Sequence, residues 1–208
     1  MMKEEIIQRL SMFISDERKI EFLENLLKKP MDLDKETRVF VYFLLSEIYE
    51  RKKFYEYAVK YLLNAEKLVS KYNERIPLLM KISRLYVKLF NFINAEEFFN
   101  MAKNDAPESA IPKLTQQYYN FYLEEAEMYE LKKFYRKAIR LYEYLAKNNF
   151  RKIEMLKKMI ELYDKAGMPI EANRIRRQLQ DYTSEKESLK KEMTEERVRI
   201  EGRADMLI

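Results

Sequence analysis

The sequence predicts an all-α chain built of antiparallel helical hairpins that stack into an α-solenoid. Three observations carry this. Apolar residues recur at helical spacing almost throughout, and strand-like alternation is nowhere sustained. The 208 residues include only two glycines, far fewer than the tight turns of a sheet protein use. Finally, one phrase is written twice. "YERKKFY", Tyr49 to Tyr55, runs on as "EYAVKYLLNA"; "YELKKFY", Tyr129 to Tyr135, runs on as "RKAIRLYEYLA". Self-similarity along a helical chain marks units that bury their faces by stacking on their neighbours.

The elements follow in order. Ile6, Ile7, Leu10, Phe13 and Ile14 make one amphipathic helix; Ile20, Leu23, Leu26 and Leu27 make a second, stopped near Pro30. Residues 1–34 thus form an N-terminal helical hairpin, either a degenerate repeat or a cap. Asp34 is the N-cap of the next helix, which runs to about Lys52. Helices are then expected at about 54–72, 76–90, 92–105, 113–131, 134–148, 152–166 and from 169 onward.

Four hairpins can be aligned. Tyr42-x2-Leu45-Ser46-x2-Tyr49 leads to Ala58-x3-Leu62, and Leu79-x2-Ile82-Ser83-x2-Tyr86 leads to Ala95-x3-Phe99, with Pro107 behind it. Tyr122-x2-Glu125-Ala126-x2-Tyr129 leads to Ala138-x3-Tyr142, and Leu156-x2-Met159-Ile160-x2-Tyr163 leads to Ala172-x3-Arg176. Two helices approach closely only where both present small side chains. Ser46, Ser83 and Ala126 do so from the first helices, and Ala58, Ala95, Ala138 and Ala172 answer from the second. Glu125 stands at a position that is usually apolar, and Ile160 replaces the small residue of the fourth hairpin.

This pattern resembles the tetratricopeptide (TPR) family over residues 38–183, with repeats at about 38–72, 76–108, 113–150 and 152–183. The resemblance implies a right-handed solenoid. The four alanines are 37, 43 and 34 residues apart. The excess over the family's 34 is assigned to loops at "SKYNERIP" and "NDAPESAIPK", the second of which can also lengthen the following helix. Residues 184–208 are read as a charged C-terminal helix, frayed past Gly202. Its apolar stripe of Leu189, Met193 and Ile200 is interrupted by Lys186 and Glu196. That argues against a coiled-coil homo-oligomer and for a polar helix capping the last repeat.

Composition narrows the chemistry. The chain has no cysteine and no histidine, which excludes disulfides, thiol nucleophiles, thiolate or imidazole metal sites and histidine acid–base catalysis. Paired carboxylates such as Glu124/Glu125 and Glu195/Glu196 are adjacent on helices and diverge. No phosphate loop and no nucleophile–base arrangement occurs, so no enzyme activity, metal or cofactor is expected. The first residues are broken by charge every few positions and no stretch approaches eighteen apolar residues, which predicts a soluble, cytoplasmic protein with no membrane insertion. Richness in Lys, Glu and Ile fits a thermophilic source or an AT-rich genome equally.

The resemblance implies protein–protein interaction: an adaptor or scaffold holding a peptide or helix in a concave groove lined by first helices. By position, that groove takes Phe43 and Glu47, then Met80, Arg84 and Lys88, then Leu123 and Glu127, and last Lys157 and Glu161. A known TPR variety clamps chaperone C-terminal carboxylates with a Lys-x3-Asn pair in its first helix. Phe43 and Glu47 stand at those places, which argues against that role here. A second surface is basic. Residues 35–182 hold 28 Lys and Arg against 20 Asp and Glu, within an overall net charge of +5. Lys132, Lys133, Arg136, Lys137 and Arg140 are followed by Lys147, Arg151, Lys152, Arg174, Arg176 and Arg177. A basic face interleaved with tyrosines can track a phosphate backbone, which makes RNA or a ribonucleoprotein the alternative partner. Sixteen tyrosines and twelve phenylalanines are mostly inter-hairpin core; in "YYNFY", Tyr118 to Tyr122, at least one ring is expected to be exposed or covered by the insertion or a partner.

Overall fold

The structure, a computed structural model, describes residues 2–28 and 33–204, with the side chains of 191 and 194–204 outside the description. All regular structure in these residues is helical. In order, the helices are α1 (Lys3–Ser11), α2 (Asp16–Leu27), α3 (Lys35–Arg51), α4 (Tyr55–Glu66), α5 (Tyr72–Lys88), α6 (Phe92–Asp105), α7 (Ile111–Leu131), α8 (Tyr135–Lys147), α9 (Lys152–Lys165) and α10 (Pro169–Ala204). The chain divides into two compact units, Met1–Phe121 and Tyr122–Ile208, and the division falls within α7.

The repeated phrase encodes a helix stop. In α3 the N–H of Phe54 donates to the carbonyl of Tyr49 at 2.9 Å, and that of Lys53 to Glu50 at 2.9 Å. Lys53 sits at φ 63°, in the left-handed region. These two bonds close a Schellman cap, and the three-residue connection folds α4 back on α3. The second copy repeats the cap: Phe134 donates to Tyr129 and Lys133 to Glu130, both at 2.9 Å, with Lys133 at φ 60°. The other two aligned turns do the same from different sequences. Asn91 donates to Tyr86 across Phe90 at φ 57°, and Met168 to Tyr163 across Gly167 at φ 69°. The tyrosine that closes each aligned motif is thus the residue whose carbonyl terminates the helix.

Only one of these four left-handed positions is glycine. A side chain there costs about 1 kcal/mol, and glycine's extra freedom in the unfolded chain returns part of that. Lys53→Gly and Lys133→Gly are each expected to raise stability by about 0.5 kcal/mol, and Gly167→Ala to lower it by about 0.5 kcal/mol, in denaturant titrations.

The Met1–Phe121 unit packs neighbour on neighbour: α2 on α3, α3 on α4, α4 on α5 and α5 on α6. Asp34 caps α3 as expected, accepting the Thr37 N–H at 2.7 Å and the Thr37 hydroxyl at 3.0 Å. Glu24 of α2 accepts the hydroxyls of Tyr61 (2.6 Å) and Tyr49 (3.3 Å), tying the N-terminal pair of helices to α3 and α4. Burial, then the Glu24 carboxylate, pushes both phenols above their ordinary range. Arg75 of α5 bridges Glu66 of α4 (2.8 Å) and Asp105 of α6 (2.6 Å). In the Tyr122–Ile208 unit α8 packs on α9 and α9 on α10. Ser46, Ser83, Ala126, Ala58, Ala95, Ala138 and Ala172 are all fully buried, and Glu125 is buried as well.

Several expectations change. "SKYNERIP" is mostly helix, because α5 begins at Tyr72 and carries Pro77 inside it. Proline removes the hydrogen bond to the Asn73 carbonyl, but both residues lie on the solvent side, where water can take that carbonyl. "NDAPESAIPK" is partly a connection with a 3-10 turn at Glu108–Ala110, and partly the start of the 21-residue α7. No ring of "YYNFY" is exposed. Tyr118 stacks on Phe99 at 4.1 Å, Phe121 lies under Arg84, Tyr122 stacks on Tyr144 at 4.3 Å and Tyr119 is half-buried. The cap expected from residue 184 onward is not formed by the described side chains. No proline breaks α10, so it runs straight on past α9, and residues 184–190, 192 and 193 are exposed. It continues through Gly202 to Ala204. Pro30 and the chain beyond Ala204 lie outside the described residues, as do the side chains of Glu196 and Ile200.

Candidate interaction groove

Within the Met1–Phe121 unit, α3, α5 and the first half of α7 wall an open cleft of about 430 Å³. Helical spacing creates it. Ile76, Met80 and Arg84 follow one another on α5, and Leu114, Gln117 and Phe121 face them from α7. The floor is apolar: Met80 and Phe121 are buried, beside Leu114, Ile76 and Pro77. The rim is charged, with Glu50, Lys81 and Arg84.

Cross-helix contacts set those charges in place. Lys81 reaches Glu47 at 3.6 Å and lies 5.8 Å from the Phe43 ring centre. Arg84 lies 5.6 Å over Phe121. Lys88 binds Glu50 at 3.0 Å and sits 5.1 Å over Tyr55. The Lys81 and Lys88 ion pairs join α5 to α3, and the Arg84–Phe121 contact joins α5 to α7. Of the groove residues read from sequence, Met80 and Arg84 line the cleft, while Phe43, Glu47 and Lys88 sit beside it in these contacts. The basic patch expected at Arg84 and Lys88 sits among carboxylates of α3: Glu50 pairs with Lys88, and Glu47 with the neighbouring Lys81.

The remaining groove residues belong to the Tyr122–Ile208 unit. Leu123 is half-buried on α7, and Glu127, Lys157 and Glu161 are exposed. Glu161 pairs with Lys165 at 2.6 Å, which holds its carboxyl below the usual range. One cross-helix pair here is Glu130 with Lys158 at 3.2 Å, and the Tyr142 hydroxyl also donates to Glu130 at 3.1 Å. Sequence reading missed Glu50, Glu130, Lys81, Lys158, Gln117 and Phe121. A signal existed for two of them, since Glu50 and Glu130 are the second letter of the repeated phrase.

The basic residues do not share one free surface. Lys132 and Lys133 form the α7–α8 turn, Arg136 and Arg140 are exposed on α8, and Lys137 lies over the Tyr129 and Phe134 rings. Lys147 is exposed at the end of α8, and Arg151 pairs with Glu154 at 3.9 Å. Arg176 is held by Asp164 at 2.5 Å. Lys152, Arg174 and Arg177 do come together, around a surface groove of about 730 Å³ beside α10 that also holds Asp181 and Glu185. Among the described residues no three carboxylates gather closely enough to hold a metal ion, and no helix is long and apolar enough to cross a membrane.

No protein-family model matches the chain, and no curated protein matches it. Among solved structures, the crystal structure of BtubC (BKLC) from P. vanneervenii is similar over 83% of this chain and 74% of its own, at 14% identity and a TM-score of 0.40. A likeness at that level carries no information on function.

Proposed function

We propose that the chain is a TPR-like scaffold, a right-handed stack of hairpins that works by protein–protein interaction. Its groove takes a helix or extended segment of a partner between α3, α5 and α7. The observation that carries this reading is the cleft itself: an apolar floor of Met80, Phe121 and Leu114 under a charged rim, open to solvent and built by first helices. Such a surface offers an anchor pocket for an apolar side chain and orienting charge around it. Further support comes from the buried small residues at the aligned positions and the recurrent cap on the motif tyrosines. With no histidine or cysteine, the chain is read as having no catalytic role.

Lys81→Glu with Arg84→Glu is expected to weaken partner binding at least about tenfold without a loss of helix content, since both side chains sit at the rim. Binding is measured on the isolated pair at two salt concentrations, with circular dichroism as the control. Unchanged affinity in the double variant would remove the groove from the mechanism. The alternative reading is RNA or ribonucleoprotein binding through the basic residues of α8–α10. It requires affinity to fall steeply with salt and to survive the groove substitutions.

A further inference from the structure

α10 carries a charge pattern that makes no ion pair with any described residue. Ile170, Arg174, Arg177, Asp181 and Glu185 follow one another along one outer face, at helical spacing. The opposite face, with Ala172 and Ile175, is buried against the unit. Arg174, Arg177, Asp181 and Glu185 are all exposed, and none makes an ion pair with a described residue. The face is basic at its start and acidic further on. It is bounded by two exposed apolar side chains, Ile170 (81% exposed) and Leu189 (58%).

We propose that this face docks antiparallel on the same face of a second copy of the chain. In a two-fold contact each residue meets its mirror about the centre. With the centre between Leu179 and Gln180, Arg174 faces Glu185 of the other copy and Gln178 faces Asp181. Ile170 covers Leu189 at both ends. A parallel pairing would set Arg174 on Arg174 and Glu185 on Glu185, which is repulsive. The centre of the contact is polar, so the dimer is weak, salt-sensitive and unlike a leucine-type coiled coil. The contact uses residues 170–189 and does not require the unfavourable register of Leu189, Met193 and Ile200. It is independent of the α3–α5–α7 groove.

The test is sedimentation of the full chain and two charge variants. Wild type is expected to self-associate at low salt and to dissociate as ionic strength is raised to roughly 1 M. Arg174→Glu/Arg177→Glu and Asp181→Lys/Glu185→Lys are each expected to associate at least about tenfold more weakly alone, and to pair with each other when mixed. All four positions are exposed, so both variants keep their helix content. In the cysteine-free background, Ile170→Cys/Leu189→Cys is expected to oxidise to a covalent dimer, whereas either single substitution is not. A wild type that stays monomeric at low salt, or folded charge variants that fail to pair on mixing, would overturn the proposal.

Discussion

Ala95→Leu is expected to destabilise the chain by about 3 kcal/mol, and Ala58→Leu and Ala138→Leu to do nearly the same. Ala95 is fully buried, and its carbonyl accepts the Ser83 hydroxyl at 2.7 Å. Two backbones this close leave no room for an isobutyl group. The helices must separate or the side chain must take a strained rotamer. The partner serines give an internal contrast. Ser83→Ala removes a buried hydrogen bond and should cost about 1 kcal/mol. Ser46 occupies the aligned position on α3, equally buried, but its hydroxyl finds no hydrogen-bond partner among the described residues. Ser46→Ala is therefore expected to be neutral or stabilising. Urea midpoints of the five variants measure the order directly. If Ser46→Ala and Ser83→Ala cost the same, the difference between these two contacts is not real.

Tyr118→Ala is expected to cost about 3–5 kcal/mol. Tyr118 is among the largest fully buried side chains and stacks on Phe99 with ring centres 4.1 Å apart and planes 4° apart. Truncation leaves a ring-sized void and strips Phe99 of its partner. Tyr72 is the control: it is 66% exposed at the start of α5, and Tyr72→Ala should move stability by no more than about 0.5 kcal/mol. Thermal melts of the pair separate core tyrosines from surface ones in a chain that has sixteen.

What the sequence makes legible is steric. Small residues at fixed spacing mean close helices, and every such position is buried. The Asp34 cap was legible because a side-chain oxygen before a helix has one local use. The left-handed caps were not, because Lys53, Phe90 and Lys133 hide a conformation that glycine would have announced. Pro77 misplaced the start of α5 for the converse reason: a proline in the second turn looks like a boundary, but it is tolerated where the freed carbonyl faces water. The groove was legible only by position. Met80 and Arg84 line the cleft, but nothing in the one-dimensional sequence shows that Lys88 is taken by Glu50 across two helices, or that Phe121 underlies Arg84. The "YYNFY" rings were misjudged because helical spacing counts one apolar stripe, whereas α7 buries Tyr118, Phe121 and Tyr122.

The groove is tested most directly by site-specific photo-crosslinking. A photoreactive residue is placed at Gln117, on the wall of the cleft, and in a second sample at Glu97, exposed on α6. Both are irradiated in native lysate with and without nuclease. A discrete protein adduct is expected from position 117, unchanged by nuclease and lost in the Lys81→Glu/Arg84→Glu background, with none from position 97. Adducts that vanish with nuclease, or that form equally from both positions, would contradict binding in the groove.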